Sequence, residues 1–222
     1  MKSTTNNYAF IDSQNLNLGV GRDVKNKKGR VVYKGRQLDY KKLRDYLREK
    51  YNASQAYLFI GFMPQYNKLY THLQKCGYTL VFKTVSIYQD EYGKDVPKGN
   101  VDVDLAVHAA ADVFDEYDKA IIVSGDGDFL SLYNFLDRHK KLGYVLVPNR
   151  HRYSKLLNQY HSKIRFISDL RPLFQATKKT RSGGRSSTLG LPGRGDTQNI
   201  AHPKPKVNPK NRGKNTREED RG

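Results

Sequence analysis

Residues 119–130 have the sequence KAIIVSGDGDFL, in which a short apolar run ends on two acids. The β-branched residues of this run are typical of a buried strand. Ser124 and Gly125 then allow a sharp turn of the backbone, which leaves the carboxylates of Asp126 and Asp128 beyond the strand end. Apolar residues at helical spacing follow from Phe129 onward. The stretch therefore predicts a strand, a turn that carries two acids, and a helix.

The rest of the body repeats this alternation of strands and helices. Short apolar runs at 8–11, 56–61, 79–85, 143–148 and 164–167 predict five more strands. Helical spacing predicts helices at 38–51, 64–77, 101–114, 129–141 and 153–160, the first with Asp39 as its N-cap. Because the runs are apolar throughout, the strands are buried on both faces. We predict a three-layer α/β/α sandwich around a mainly parallel central sheet.

Acids follow two of these strands directly. Asp12 ends the first run, in YAFIDSQN, and Asp126 follows the fourth strand. Ligands of parallel sheets bind beyond the carboxyl ends of the strands, where the strand order reverses. If the first and fourth strands are neighbours, Asp12 and Asp126 converge there, with Asn15 and Ser124 as supporting residues. Helix capping by Asp126 and Asp128, and an Asx turn at Asp12, are the structural alternatives.

The predicted helix at 101–114 supplies two further acids, in KGNVDVDLAV. Asp102 shares a helix face with Ala106 and Ala109, which predicts that it points toward the sheet. Asp104 falls on the other face with His108 and Asp112, which is typical of a solvated surface. Asp102 is therefore the predicted pocket residue, Asp104 a supporting one, and His108 a solvated or paired histidine.

The predicted ligands at this site are hard oxygen donors. Carboxylates without cysteines or clustered histidines select Mg²⁺ or Mn²⁺ over zinc. We predict that Asp12, Asp102 and Asp126 hold the metal and act in catalysis together with Asp128. One or two such ions would activate a water for phosphodiester hydrolysis.

The chain is strongly basic, with a formal net charge of +18 over 222 residues. Six of the twelve residues from Lys25 to Arg36 are Lys or Arg, and we predict that they contact the substrate. The predicted contacts there are Lys27, Lys28, Arg30, Lys34 and Arg36, with Lys98 and Asn100 as a phosphate-binding turn before the helix at 101–114. A solvated loop or hairpin and an ordinary helix cap are the alternatives.

The two ends of the chain differ in composition. Residues 1–175 form the predicted domain, whereas residues 176–222 lack aromatic residues and are rich in Gly, Pro, Lys and Arg. This segment cannot bury enough apolar surface to fold, so we expect a disordered basic tail.

The single cysteine, Cys76, excludes a disulfide scaffold and a cysteine-rich zinc site. With no apolar signal core or membrane-length segment, a cytoplasmic protein is expected.

The three motifs YAFIDSQN, KGNVDVDLAV and IIVSGDGDF, in this order, resemble the NYN domain of the LabA-like branch, within the PIN-like nuclease fold. The resemblance covers about residues 6–170. It implies adjacent first and fourth strands and a Mg²⁺- or Mn²⁺-dependent ribonuclease site at Asp12, Asn15, Asp102, Asp126 and Asp128. The chain departs from the pattern at His108, where similar sequences often have an acid.

The leading prediction is therefore a metal-dependent endoribonuclease that leaves 5′-phosphate ends. One alternative is a non-catalytic RNA-binding or regulatory module with the same fold. Another is a phosphatase or nucleotidase for small substrates, because a D-x-D pair after a strand also serves aspartyl-phosphate chemistry. RNA is the predicted partner, no membrane is expected, and a homo-oligomer remains open.

Overall fold

The computed structural model describes residues 5–83 and 101–175, and the backbone of two short strands at 86–89 and 95–98. In chain order the strands are β1 (Asn7–Asp12), β2 (Val24–Lys25), β3 (Val31–Tyr33), β4 (Ala53–Gly61), β5 (Thr79–Lys83), β6 (Ser86–Gln89), β7 (Asp95–Lys98), β8 (Ala120–Val123), β9 (Leu142–Val147) and β10 (Ile164–Phe166). The α-helices are α1 (Ser13–Gly21), α2 (Tyr40–Tyr51), α3 (Asn67–Lys75), α4 (Val101–Val107) and α5 (Leu130–Arg138). The predicted basic tail lies outside the described residues.

Six of the described strands form one sheet in which all neighbours are parallel, in the order β10-β9-β8-β1-β4-β5. The chain thus builds one half of the sheet outward from β1 through β4 to β5. It then returns to the other side of β1 with β8 and builds outward through β9 to β10. The first and fourth predicted strands are neighbours, as expected, and the strand order reverses between them.

Helices cover both faces of this sheet, which confirms the predicted three-layer sandwich. Successive residues of β1 point to opposite faces, as the period of a strand requires. Ala9 and Ile11 pack with buried residues of α1, α2 and α3. Tyr8 and Phe10 pack with buried residues of α4 and α5. Because all six residues of β1 are buried, this strand forms the centre of the molecule.

Two helix ends follow the sequence signals. The carboxylate of Asp39 accepts the backbone N–H of Lys42 at 3.1 Å and so caps α2, as predicted. Helix α2 ends at Asn52, which has the left-handed φ of 51°. The chain after α3 turns at Gly77, whose φ of 91° favours glycine.

The structure differs from the predicted elements in three places. The helix predicted over 101–114 is α-helical to Val107 and continues as a π-helical turn at His108–Asp112. There the backbone N–H of Val113 donates to the carbonyl of His108 at 3.2 Å, and the hydroxyl of Tyr117 donates to the carbonyl of Ala109 at 2.6 Å. The helix predicted over 153–160 is the 3₁₀ segment Lys155–Tyr160. Two antiparallel hairpins, β2–β3 and β6–β7, stand outside the main sheet. The first was an alternative for the basic segment, and the second was not predicted.

Candidate metal-binding site at the sheet switch point

Asp12 lies at the point where the strand order reverses. It is the last residue of β1, and its neighbour β8 ends at Val123, directly before Ser124 and Asp126. Between these strands the chain departs in opposite directions, toward β4 on one side and β9 on the other. Such a switch point leaves a crevice at the carboxyl edge of a parallel sheet. The two acids predicted to converge therefore flank this crevice.

The carboxylate of Asp12 is buried, with only 4% of the residue exposed. Its Oδ1 accepts the backbone N–H of Asn15 at 2.9 Å, and its Oδ2 accepts the hydroxyl of Ser124 at 3.4 Å. Burial, together with the charges of Asp102 and Asp126 and against the lowering effect of the Asn15 N–H, raises the pKa of Asp12 to about 6. An acid in this position is stabilised by any cation that enters the crevice.

Asn15 and Ser124 connect the two turns that carry the acids. The amide oxygen of Asn15 accepts the backbone N–H of Gly125 at 2.9 Å. The hydroxyl of Ser124, which is fully buried, accepts the backbone N–H of Asp126 at 3.2 Å while it donates to Asp12. Both residues therefore fix the position of the acids.

Asp126 both caps a helix and faces the crevice. Its Oδ1 accepts the backbone N–H of Asp128 at 3.1 Å, at the start of the 3₁₀ turn Gly127–Phe129 that leads into α5. The capping alternative is thus correct for this acid, and it does not exclude the proximity to Asp12. Asp128 is exposed, and it is not among the acids that raise the pKa of Asp12. A Cβ at Gly127 would overlap the side chain of Ser154, so the turn requires glycine.

Asp102 and Asp104 lie in the first turn of α4 but have different surroundings. Asp102 is half-buried and close enough to Asp12 to raise the pKa of that carboxyl. Asp104 keeps half of its side chain exposed, and its carboxylate lies 3.6 Å from the ammonium of Lys83. The separation of the two acids by helix face follows the sequence pattern.

His108 is paired with a carboxylate, one of its two predicted states, and its side chain is partly buried. Its Nδ1 lies 3.0 Å from the carboxylate of Asp112, not of Asp104. Its ring packs against the rings of Tyr57 and Phe59, with centroids 4.6 and 5.7 Å away.

The donor chemistry of the site fits Mg²⁺ only in part. Across residues 5–83 and 101–175, no three His, Cys, Asp or Glu side chains are grouped closely enough to hold one ion together. Mg²⁺ is commonly bound through one or two carboxylates, with waters and substrate phosphates as the other ligands. Asp12, with Asp102 and Asp126 near enough for their charges to raise its pKa, satisfies that looser requirement.

The predicted substrate contacts of the basic segment differ in their exposure and in their ion pairs. Lys27, Lys28 and Arg30 are exposed at the end of the β2–β3 hairpin. Lys34 is exposed but forms an ion pair with Asp23 at 2.7 Å. Arg36 is half-buried at the base of the hairpin.

The other predicted phosphate contacts are Lys98 and Asn100. Lys98 is the last residue of β7, where only the backbone is described. Asn100 lies outside the described residues.

Tyr133 is a residue near the acids that the sequence pattern did not single out. It is fully buried on α5, and its hydroxyl has no hydrogen-bond partner among the described residues. Burial raises its pKa, and the charges of Asp12 and Asp126 raise it further. The helical spacing of Tyr133 placed it on the apolar face of α5. Its hydroxyl, in an otherwise apolar face, was the only feature of the sequence that could have singled it out.

Acids gathered at the switch point of a parallel sheet between two helical layers define a PIN-like α/β/α fold. The NYN domain family model matches residues 8–168, and the chain belongs to that family. The fold also resembles the crystal structure of a protein of unknown function from Vibrio parahaemolyticus, with a TM-score of 0.55 and 20% identity over 75% of this chain and 96% of that chain. That likeness concerns the fold alone.

Comparison with curated proteins gave no match. None of the described helices has the length and apolar character needed to cross a membrane.

Proposed function

We propose that this NYN domain protein is a Mg²⁺- or Mn²⁺-dependent ribonuclease that hydrolyses RNA phosphodiester bonds by water attack. The observation that carries the proposal is the buried carboxylate of Asp12 at the switch point, with Asp102 and Asp126 close enough to raise its pKa. Burying one acid beside two others is costly unless a cation enters. The family and the net charge of +18 support a nucleic acid as the substrate.

Asp12, Asp102 and Asp126 would hold the metal, one or two of them directly and the rest through bound waters. When bound, Mg²⁺ supplies a more acidic water and positive charge for the phosphodiester. Ser124 and Asn15 orient Asp12 through the hydrogen bonds described above, and they keep the turn after β8 against the turn after β1. Asp128, which is exposed, would accept a proton or bind a water rather than act as an inner ligand.

Basic residues would attract the RNA toward this acidic crevice. The exposed hairpin residues Lys27, Lys28 and Arg30 supply positive potential near α1, the helix that begins at the end of β1. Such potential raises the local concentration of a polyanion and falls with ionic strength. We extend this role to Lys34, Lys98 and Asn100 as predicted contacts.

Cleavage of circular and linear single-stranded RNA tests the proposal. We expect the purified full chain to cut both substrates with Mg²⁺ or Mn²⁺ and to cut neither with EDTA. Loss of the circular form identifies an endonuclease, and end analysis of the products should find 5′-phosphates. Asp126→Asn and Asp102→Asn should each lower the rate by at least about 100-fold, the scale of losing one charged catalytic group.

Asp104→Asn provides the matched control, because Asp104 lies on the same helix as Asp102 but faces away. It should keep the wild-type rate within a few-fold. Equal cutting by wild type, Asp126→Asn and Asp102→Asn would show that the activity is a contaminant.

A non-catalytic RNA-binding module is the second candidate, because no three acids among the described residues are grouped to hold one ion. It predicts RNA binding without turnover under every metal condition, and with equal affinity for wild type and Asp126→Asn. A phosphatase or nucleotidase predicts instead the rapid hydrolysis of mononucleotides while RNA stays intact.

A further inference from the structure

A pocket of about 310 Å³ lies between the β2–β3 hairpin and the segments that follow β9 and β10. Ligand pockets typically begin at about this size. The charged and polar residues among its lining are Tyr33, Arg36, His151, Ser168, Asp169 and Arg171. None of the residues of the acidic site described above lines this pocket.

The pocket opens at the same edge of the sheet as the acidic crevice. His151 and Ser168 follow the carboxyl ends of β9 and β10, which run parallel to β8 and β1. The amide of Asn149 donates to the carbonyl of Gly19 at 2.8 Å and so joins the segment after β9 to α1. Because neighbouring strands are about 4.8 Å apart, β10 lies about 10 Å from β8. One nucleic-acid strand lying across the edge can therefore reach both places.

The guanidinium of Arg36 is held in place within the pocket wall. It lies over the ring of Tyr33 at 5.6 Å and the ring of Phe174 at 5.3 Å. Its backbone N–H donates to the carbonyl of Val20 at 2.8 Å, and the hydroxyl of Tyr33 donates to the same carbonyl at 2.9 Å. A planar cation fixed between two rings loses little conformational entropy when it binds an anion.

The charges of the pocket favour an anion. Among the described residues, no carboxylate forms an ion pair with Arg36 or Arg171. The carboxylate of Asp169 also lines the pocket, but Arg150 neutralises it through Nε at 3.1 Å and a second guanidinium nitrogen. The hydroxyl of Ser168 donates to Asp169 at 3.3 Å. Two guanidinium groups facing a small polar pocket match the geometry of a phosphate.

We infer that this pocket binds a backbone phosphate of the RNA strand whose scissile phosphate lies at the acidic crevice. Arg36 and Arg171 contact the phosphate oxygens, and the imidazole of His151 is an additional donor. The inference rests on the proposed ribonuclease function for its substrate. It assigns to that substrate a fixed path across the sheet edge, from the ends of β1 and β8 to the ends of β9 and β10.

The salt dependence of RNA binding tests this subsite separately from cleavage. Binding of a labelled oligouridine to the full chain is measured in EDTA by fluorescence anisotropy at several KCl concentrations. The slope of log K against log salt reports the number of phosphates neutralised, at about 0.7 per phosphate for single strands. Arg36→Gln and Arg171→Gln should each weaken binding and reduce the slope by about 0.7.

Arg138→Gln is the matched control, because Arg138 is exposed in the last turn of α5, at the opposite edge of the sheet, and the charge change is the same. Its slope should equal that of the wild type. Equal slope changes in all three variants would mean that only net charge acts, which overturns the subsite. Circular dichroism melting checks the fold of Arg36→Gln, and the exposed Arg171 provides a variant that leaves the core intact.

Competition with inorganic phosphate tests whether the pocket binds a phosphate of the RNA strand or a free phosphate ion. We expect millimolar phosphate to displace the oligouridine only weakly, and to do so less in Arg36→Gln. If phosphate binds through Arg36 while oligouridine binding is unchanged in both arginine variants, the pocket is a free-phosphate site and the strand path is wrong. Because these measurements need no turnover, a failure of the ribonuclease proposal leaves them interpretable.

Discussion

The side-chain oxygen of Asn15 accepts the backbone N–H of Gly125 at 2.9 Å, across the strand pair at the centre of the sheet. This bond joins the turn after β1 to the turn after β8, which are 110 residues apart in sequence. The acids Asp12 and Asp126 stand on these two turns. Their relative position is therefore held by neutral groups, the amide of Asn15 and the hydroxyl of Ser124, and not by the acids themselves, whose charges repel each other.

Asn15→Ala should therefore destabilise the protein. The N–H of Gly125 is left without its acceptor in a buried turn, at a cost of about 1–3 kcal/mol in the free energy of unfolding. Urea unfolding followed by circular dichroism measures this change. Gln14→Ala, which truncates the neighbouring amide on α1, should change stability by less than about 0.5 kcal/mol. Equal effects of the two substitutions would show that the bond to Gly125 contributes nothing.

The raised pKa of Asp12 predicts a specific dependence of stability on pH. The carboxyl has a pKa of about 6 in the folded protein and the ordinary value of 3.8 when unfolded. Between these values the folded state holds a proton that the unfolded state has lost, so stability falls as pH rises from about 4 to about 6. The shift corresponds to about 3 kcal/mol.

Asp12→Asn tests this contribution, because it removes the titrating carboxyl and nearly keeps the size and shape of the side chain. With EDTA present, we expect the variant to gain about 3 kcal/mol relative to wild type between pH 4 and pH 7. Urea unfolding at several pH values provides the measurement. A difference between the two proteins that does not change with pH would contradict the raised pKa of Asp12.

Mg²⁺ should offset the loss of stability that the charge of Asp12 causes at neutral pH. A ligand that binds only the folded state stabilises it according to its concentration relative to its Kd. We expect millimolar Mg²⁺ to raise the melting temperature of wild type and of Asp104→Asn, but not of Asp12→Asn. If all three proteins respond equally, the ion binds elsewhere on the surface.

Much of the fold was predictable because its signals are local. The apolar runs of the six central strands and the cap at Asp39 follow from residue type and spacing alone. The adjacency of β1 and β8 was a supposition from the two strands that end on acids, and it was the family resemblance that implied it. The separation of Asp102 from Asp104 needed only the period of a helix.

The remaining features depend on contacts between distant segments. The π-helical turn at His108–Asp112 includes Ala109, whose carbonyl accepts the hydroxyl of Tyr117, and the spacing of apolar residues along a helix carries no sign of such a contact. The orientation of Tyr133 toward the acids depends on how α5 packs against the sheet. The pocket at Arg36 is built from three segments that only the strand order brings together.

Tyr133→Phe should stabilise the metal-free protein by about 1 kcal/mol, because the buried hydroxyl of Tyr133 has no partner among the described residues. Tyr117→Phe is the matched control. The hydroxyl of Tyr117 donates to Ala109 at 2.6 Å, so its removal should destabilise by about 1 kcal/mol. Urea unfolding of both variants measures these changes in the free energy of unfolding. If Tyr133→Phe also destabilises, an ordered water or one of the acids bonds that hydroxyl.

Gly35→Ala should detach the basic hairpin from the body of the protein. A Cβ at Gly35 would overlap the backbone carbonyl of Gly21 at the end of α1, and backbone cannot move aside as a flexible side chain can. Overpacking of this kind costs about 1–3 kcal/mol. Because Arg36 follows directly, its guanidinium should also lose its place between Tyr33 and Phe174.

The opposing glycine offers the control for this contact. A Cβ at Gly21 would meet only the side chain of Asn17, at 3.9 Å, so Gly21→Ala should leave both stability and RNA affinity nearly unchanged. Gly35→Ala should lower the melting temperature and weaken oligouridine binding in EDTA several-fold. Weaker binding without a lower melting temperature would still place the hairpin in the RNA interface. A lower melting temperature with unchanged binding would remove the hairpin and Arg36 from the path of the strand.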